Sequence, residues 1–198
     1  MNIYIIRHGQ TQSNLKNQYY GRLDVPLTDQ GVQQMKALSF ELSNIQFDKI
    51  YTSNARRALE SLEICLPTYH HQAIIDERLC EINFGDFEGK TYQEISKEYP
   101  QEVIHWQRDW KNFLPPQGES FIQFYLRVSD IFKEIISNEV DNIFIMAHSG
   151  VIKAIYCYVL GQNLDLYWNF TCHNGKINII QYEYGNLFID AVNRGSIR

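Results

Sequence analysis

Residues 2–14 read NIYIIRHGQTQSN, an apolar run that stops abruptly at a cation, a titratable ring and a glycine. The β-branched stretch Asn2–Ile6 has the profile of a buried strand. Arg7 and His8 follow it directly, and Gly9 allows the chain to turn there. Two interpretations are open at this point. Either a core strand simply reaches solvent, or the strand delivers a nucleophile to a site.

The rest of the chain alternates short strand-like runs with helical patterns. Strands are predicted over residues 48–54, 72–76 and 141–150, and a hairpin over residues 176–193 with its turn near Gly185–Asn186. Helices are predicted over residues 26–44, 55–66, 91–100, 101–113, about 118–137 and 151–161. Strands alternating with helices predict an α/β fold, a three-layer α/β/α sandwich with a mostly parallel central sheet and a C-terminal antiparallel hairpin.

Composition restricts the classes of partner that suit this chain. Its 198 residues, 44% hydrophobic and 21% charged, are typical of one soluble domain over residues 1–198. A net charge of −5 argues against nucleic acid as a partner, because phosphate backbones recruit basic faces. No run is long enough to span a membrane, no signal peptide pattern opens the chain, and the four cysteines are well separated. We therefore expect a cytoplasmic protein with reduced thiols.

Charged and titratable residues stand where the predicted parallel strands end. Ligands of such sheets bind beyond the carboxyl ends of the strands. Arg7 and His8 follow the first strand, residues 53–57 with Arg57 follow the second, and His148 lies at the end of the run 141–150. Two arginines and two histidines around one point form an anion site, and guanidinium groups match the oxygens of a phosphoryl group.

This set of residues also suits phosphoryl transfer. A neutral imidazole can attack phosphorus and form a phosphohistidine, while the cations stabilise the transferring oxygens. An acid is still needed to protonate the leaving alkoxide. Glu81, in the irregular loop RLCEINFGDFEG (residues 78–89), is the leading candidate, although Asp86 and Glu88 lie close by in the same loop. His70–His71 have no carboxylate or thiol at ligand spacing, so we expect no metal site.

Six ordered segments resemble the signature elements of the histidine phosphatase superfamily, which has the phosphoglycerate mutase-like fold. They are IIRHGQTQSN (5–14), GRLDVPLTDQG (21–31), YTSNARRALES (51–61), EINFGDFEG (81–89), PQGES (116–120) and AHSGVI (147–152). Together they span nearly the whole chain. The tripeptide RHG alone is a weak signal, whereas six elements in order at suitable strand ends are a specific one.

The resemblance implies a role for each matching residue. His8 corresponds to the phosphorylated nucleophile and Glu81 to the proton donor. The residues implied to bind the phosphoryl group are Arg7, Asn14, Arg57, His148 and Ser149. Gln10 stands where many members have glutamate, and Ser149 where many have glycine. The resemblance implies no cofactor and no metal.

Substrate preference is expected to depend on an aromatic segment in the middle of the chain. Residues 92–124 contain Trp106, Trp110, Phe113, Phe121 and Phe124, and we expect a helical segment of about residues 86–127 to cap the site. Most of these rings are expected to pack the helices onto the sheet, and one or two to line an apolar cleft. Residues 109–132 are similar to the α-ribazole phosphatase branch, which implies α-ribazole 5′-phosphate as substrate, with a flat base that aromatic rings stack against.

Other functions remain open from the sequence. A broad-specificity sugar or nucleotide phosphatase and a phosphoglycerate mutase share the same motifs, although mutases of the superfamily usually carry a longer insertion after the acid-bearing loop. A non-catalytic phosphate-binding module is expected to have lost the nucleophile or the acid, and both positions are filled here. The expected partner is a small phosphate ester, bound by a monomer or a homodimer.

Overall fold

A six-stranded sheet organises residues 1–195, the part of the chain that the computed structural model describes. Its strands are β1 (Asn2–Arg7), β2 (Lys49–Thr52), β3 (Ile74–Ile75), β4 (Asn142–Ala147), β5 (Ile177–Glu183) and β6 (Asn186–Arg194). They lie in the order β3-β2-β4-β1-β5-β6. The pairings among β3, β2, β4 and β1 are parallel, and β5 pairs antiparallel with both β1 and β6. The parallel strands therefore end at one edge of the sheet.

Helices connect these strands, and some of them begin at a residue whose side chain caps the helix. They are α1 (Gln12–Leu15), α2 (Asp29–Leu42), α3 (Arg56–Cys65), α4 (Tyr92–Glu98), α5 (Pro100–Arg108), α6 (Phe121–Ile136) and α7 (Ser149–Val159). The Thr28 hydroxyl accepts a hydrogen bond from the N–H of Gly31 at the start of α2, and Ser120 caps α6 in the same way. Within the described residues, none of these helices is long and apolar enough to cross a membrane.

Helices cover both faces of the sheet because side chains alternate along each buried strand. Ile3 and Ile5 of β1 belong to the apolar cluster formed with α6 and α7, whereas Ile6 belongs to the cluster formed with α2 and α3. In β4, Ile145 and Met146 divide between the same two clusters. The predicted α/β/α architecture with its mostly parallel sheet and C-terminal hairpin is confirmed.

Several predicted boundaries are wrong, each for a local reason. The strand expected over residues 72–76 shortens to β3, because 3₁₀ turns flank it and the Asp76 side chain accepts from the Arg78 N–H to cap the second turn. The helix expected over 101–113 instead begins at Pro100, where a missing N–H costs nothing, and ends at Arg108. Helix α6, expected to begin near residue 118, begins at Phe121, because the Ser120 side chain caps it by accepting from the Gln123 N–H.

A third, smaller apolar cluster lies apart from the two sheet faces. Its buried members are Phe87, Ile95 and Val103, from the loop before α4 and from α4 and α5. The partly buried rings packed against it are Tyr19, Phe84, Tyr99, Trp106 and Phe113. This cluster gives the first half of the segment 86–127 a core of its own. Whether that segment caps a bound substrate stays a prediction.

Candidate active site

The two histidines expected in the site follow neighbouring strands. His8 comes directly after β1 and His148 directly after β4, and the His8 N–H donates to the Ala147 carbonyl at 3.0 Å, which extends the parallel pairing by one step. Their ring centroids lie 5.1 Å apart. Both side chains are buried. The sheet register thus brings together two residues that are 140 positions apart (148 − 8) in the sequence.

The hydrogen bonding of His8 determines which of its nitrogens carries a proton. Nδ1 lies 2.7 Å from the Gly9 carbonyl oxygen, which can only accept a hydrogen bond. Nδ1 is therefore the protonated nitrogen, and the lone pair is on Nε2. Burial lowers the pKa of His8 well below its ordinary value, and the nearby cations Arg57 and Arg7 lower it further. A neutral ring with a free Nε2 lone pair is the form of histidine that acts as a nucleophile.

Arg57 carries a buried charge that protein carbonyls hold in place. Its Nη2 donates to the Gly21 carbonyl at 2.8 Å and its Nη1 to the Leu23 carbonyl at 3.1 Å. The guanidinium carbon lies 4.7 Å from the centroid of the Tyr20 ring, and Nε has no hydrogen-bond partner. No carboxylate among residues 1–195 forms an ion pair with it. This charge is free to attract an anion.

Arg7 and His148 complete the polar floor of the site. Arg7 Nη1 donates to the Cys172 carbonyl at 2.6 Å, and its Nε is buried without a partner. His148 Nε2 lies 2.7 Å from the Ser53 hydroxyl, and its Nδ1 is likewise buried without a partner. Burial, followed by Arg57, lowers the pKa of His148 well below its ordinary value. Ser53 belongs to the predicted strand end at 53–57, but the sequence did not single it out.

Glu81 is held at the start of α7. Its Oε2 accepts from the Gly150 N–H at 2.9 Å and its Oε1 from the Ile82 N–H at 3.0 Å. Glycine at position 150 makes room for this carboxylate, because a Cβ there would lie 2.1 Å from Glu81 Oε1 and would displace it. Ser149, the first residue of α7, is half-buried beside this contact. The structure therefore places the expected acid against the first turn of α7, the helix that follows His148.

An arginine holds the loop that carries Glu81. Arg127 donates to the carbonyls of Arg78, Cys80 and Glu81, at 2.9, 2.7 and 3.0 Å. Its guanidinium also pairs with Glu119 at 2.5 Å, and Glu119 in turn accepts from the Asn83 N–H. The segment PQGES, which contains Glu119, thus acts on the acid-bearing loop rather than on a ligand.

Two asparagines lie beside His8, one expected and one not. Asn14 Oδ1 accepts from the N–H and the hydroxyl of Thr11, so the Asn14 side chain faces the site from α1. Asn174 is not among the residues expected in the site, and its Nδ2 donates to the His8 carbonyl at 2.8 Å. Gln10 Oε1 accepts from the Thr28 hydroxyl, which ties this departure from the family pattern to the cap of α2.

Some of these groups line a cavity of about 750 Å³, whereas the buried His8, Arg57 and His148 do not line it. Its lining residues include Arg7, Asn14, Glu81, Tyr20 and Lys153. Tyr20 also contacts Arg57 and lies 6.4 Å, between ring centroids, from His8, so the cavity ends against the buried groups. No cluster of histidine, cysteine or carboxylate side chains in residues 1–195 is suited to a metal ion.

A smaller aromatic pocket of about 280 Å³ adjoins the cavity, and the two share Tyr19 and Tyr92. Its other lining residues are Trp106, Gln107, Trp110 and Trp168. Of the five aromatic residues singled out in segment 92–124, one or two of which were expected to line a cleft, Trp106 and Trp110 line this pocket. The other three do not: Phe113 packs in the third cluster, and Phe121 and Phe124 lie in the core beside α7.

The fold and site together define an α/β protein in which two arginines and a neutral, buried histidine lie at the carboxyl ends of the parallel strands. The model of the histidine phosphatase superfamily (branch 1) matches residues 3–195. An adenosylcobalamin/alpha-ribazole phosphatase of Salmonella typhimurium is 28% identical over 198 residues, covering 100% of this chain and 98% of its own. Phosphoserine phosphatase 1 of Hydrogenobacter thermophilus is 30% identical over 183 residues, and the match covers 91% of this chain and 86% of that protein.

Comparison with solved structures indicates the same class of protein. The alpha-ribazole phosphatase from Shigella flexneri superposes with a TM-score of 0.93 at 27% identity, and the match covers 100% of both chains. The chain belongs to the histidine phosphatase superfamily, as its motifs indicated. Its class is that of a phosphatase.

Proposed function

We propose that this protein hydrolyses small phosphate monoesters through a phosphohistidine at His8. The observation that carries the proposal is the neutral, buried His8 with its lone pair on Nε2, next to arginines that have no carboxylate partner in residues 1–195. In the first step Nε2 attacks phosphorus in line and the P–O bond to the alcohol breaks. Glu81 gives its proton to the departing oxygen, so the alcohol leaves neutral.

The second step regenerates the enzyme. Glu81, now a carboxylate, takes a proton from water as the water oxygen attacks the phosphohistidine, and the P–N bond breaks. Phosphate leaves and His8 returns to its neutral form. Arg7, Arg57, His148 and Asn14 surround the phosphoryl oxygens in both steps, and Ser149 contributes from the start of α7. The proposal needs no cofactor or metal.

For the substrate we propose α-ribazole 5′-phosphate. The aromatic pocket that adjoins the cavity through Tyr19 and Tyr92 suits a planar, uncharged base, which stacks favourably on tryptophan rings. The likeness over the full chain to two alpha-ribazole phosphatases supports the same assignment. In this arrangement the phosphate lies at His8 and the base lies against Trp106 and Trp110. Segment 86–127 then acts as the cap over the base.

A specific observation favours a second candidate, a phosphate ester whose alcohol carries a carboxylate. Lys153 of α7 lines the cavity, and its Nζ lies 5.2 and 5.4 Å from the ring centroids of Tyr167 and Trp168. No carboxylate in residues 1–195 pairs with it. A lysine placed in this way can bind a substrate carboxylate such as that of phosphoserine or a phosphoglycerate.

A phosphate-release screen with two variants distinguishes these candidates. The substrates are α-ribazole 5′-phosphate, phosphoserine, 3-phosphoglycerate, a sugar phosphate and a nucleotide. We expect kcat/KM to be highest for α-ribazole 5′-phosphate, to fall in Trp110→Ala, and to change little in Lys153→Met. Preference for phosphoserine or phosphoglycerate, lost in Lys153→Met, would replace the first candidate by the second.

The same assay tests the remaining alternatives. Equal kcat/KM for all substrates would indicate a broad-specificity phosphatase. Transfer of the phosphoryl group between positions of a phosphoglycerate, without release of phosphate, would indicate a mutase. Phosphate binding without turnover of any ester would indicate a non-catalytic module.

A further inference from the structure

Glu88 makes an unusual set of hydrogen bonds for a side chain outside the cavity. Its carboxylate accepts from the backbone N–H groups of Gly21, Arg22 and Leu23, at 2.8 to 3.0 Å. Oε1 also accepts from the Phe84 N–H at 3.1 Å. Both carboxylate oxygens are therefore saturated by peptide N–H groups from two segments. Glu88 does not line the 750 Å³ cavity.

The segment that Glu88 holds is the one that positions Arg57. The peptide unit between residues 21 and 22 gives its N–H, that of Arg22, to Glu88 and its carbonyl, that of Gly21, to Arg57 Nη2. Leu23 also gives its N–H to Glu88 and its carbonyl to Arg57 Nη1, through the two peptide units on either side of its Cα. Hydrogen bonding at one side of a peptide polarises the other side and strengthens its bond there. Glu88 thus acts on the guanidinium through two residues of backbone.

The backbone of this segment has little freedom to adjust on its own. Gly21 packs so closely on residue 82 that a Cβ would lie 1.7 Å from the Ile82 carbonyl oxygen. The Gly89 N–H also donates to the Tyr19 carbonyl at 2.8 Å, which ties the loop around Glu88 to the same stretch. Loop 84–89 and segment 19–23 consequently form one unit, with Arg57 attached to its inner side.

We infer that Glu88 is a positioning residue for the phosphate-binding charge of Arg57. This inference rests on the proposed function, in which Arg57 contacts the phosphoryl oxygens. A carboxylate can accept from all of these N–H groups, whereas a glutamine amide turns its NH₂ donor toward N–H groups that are donors themselves. Replacing Glu88 by glutamine therefore releases the segment without removing side-chain volume, and Arg57 loses its fixed orientation toward the anion.

The test compares Glu88→Gln with Glu94→Gln. Glu94 accepts from the Thr91 N–H and hydroxyl at the start of α4, so it is a matched carboxylate that accepts a backbone N–H but has no link to Arg57. The readouts are calorimetric binding of inorganic phosphate, the melting temperature, and kcat and KM for an aryl phosphate. We expect Glu88→Gln to weaken phosphate binding by about tenfold, in the range of couplings between residues in contact, and Glu94→Gln to leave it unchanged.

A double-mutant cycle shows whether the effect passes through Arg57. In an Arg57→Met background, Glu88→Gln is expected to cause no further loss of phosphate affinity. Unchanged phosphate affinity in Glu88→Gln, equal losses in the two glutamine variants, or an undiminished loss in the Arg57→Met background would each overturn the inference. If Arg57→Met does not fold, the comparison of the two single variants decides. Phosphate binding requires no turnover, so failure of the catalytic proposal would be recognised separately by the absence of ester hydrolysis.

Discussion

Gly150→Ala is expected to lower the catalytic rate while changing the stability of the protein little. The new Cβ would lie 2.1 Å from Glu81 Oε1, which is 1.3 Å short of the 3.4 Å where ordinary contact begins. The carboxylate lies at the end of a flexible side chain, so it moves and gives up its bond to the Gly150 N–H. A displacement of about 1 Å in a reacting group can cost on the order of 10²-fold in rate. General acid catalysis as a whole contributes about 10²–10⁴-fold.

The stability of this variant is expected to change little. The new Cβ would also lie 3.0 Å from the hydroxyl of the buried Tyr167, which must move by a few tenths of an ångström. Against this cost, Gly150 lies in the first turn of α7, where alanine favours the helix by up to about 1 kcal/mol over glycine. For a chain of this size that corresponds to a shift of about 2–4 °C in Tm. Glu81→Gln serves as the reference for complete loss of the acid.

The assay measures kcat/KM, which reports the steps up to departure of the alcohol and excludes the shared hydrolysis of the phosphohistidine, for esters whose leaving groups differ in pKa. An alkyl phosphate needs protonation of its leaving oxygen, so kcat/KM should fall by about 10²-fold for it. For an aryl phosphate such as p-nitrophenyl phosphate the loss should be small. Equal losses for both esters, or no loss for the alkyl ester, would refute the assignment of Glu81 as the acid.

Three further results are expected. The pKa values of His8 and His148 are lower in the folded state than in the unfolded chain, so the unfolded state binds more protons below pH ~6.5. The free energy of unfolding should therefore decrease as the pH falls through that range, and it should decrease less steeply in His148→Gln. An unchanged slope in that variant would argue against a buried neutral ring at position 148. Phe87→Ala, in the third cluster, should lower the free energy of unfolding in urea by about 3 kcal/mol, against almost nothing for the exposed Phe40→Ala. Hydrolysis of an aryl phosphate should continue in excess chelator, and activity lost to chelation and restored by a metal ion would exclude the metal-free mechanism.

Local sequence signals were sufficient for the sheet and for much of the site. The buried runs at Asn2–Ile6 and in residues 141–150 predict parallel strands, so His8 and His148 are expected at the same edge of the sheet, whereas the pairing of these two strands as neighbours is seen only in the structure. The segments around Arg57 and Glu81 needed the family resemblance, because an arginine near a helix start or a glutamate in a loop has no distinctive local pattern. Element ends were less predictable, since Ser120 and Pro100 act through hydrogen bonds over a few residues.

Other parts of the site depend on contacts between distant segments. Asn174 donates to the His8 carbonyl, 166 positions away in the sequence, and nothing in the residues around Asn174 indicates that bond. Glu88 contacts segment 21–23 in the same way, through backbone N–H groups that exist at every position except proline. Tyr19 and Trp168 join the aromatic pocket from outside segment 92–124. Only the folded chain brings these residues together.

The most direct test of the account is detection of the phosphoenzyme. The protein is mixed with a labelled phosphate ester, quenched within milliseconds and digested for mass spectrometry under alkaline conditions, which preserve phosphohistidine. We expect an acid-labile phosphoryl group on the peptide that contains His8, absent from His8→Ala and present in the surface variant His105→Ala. Label that persists in His8→Ala, or that survives acid, would contradict the central claim that His8 is the nucleophile.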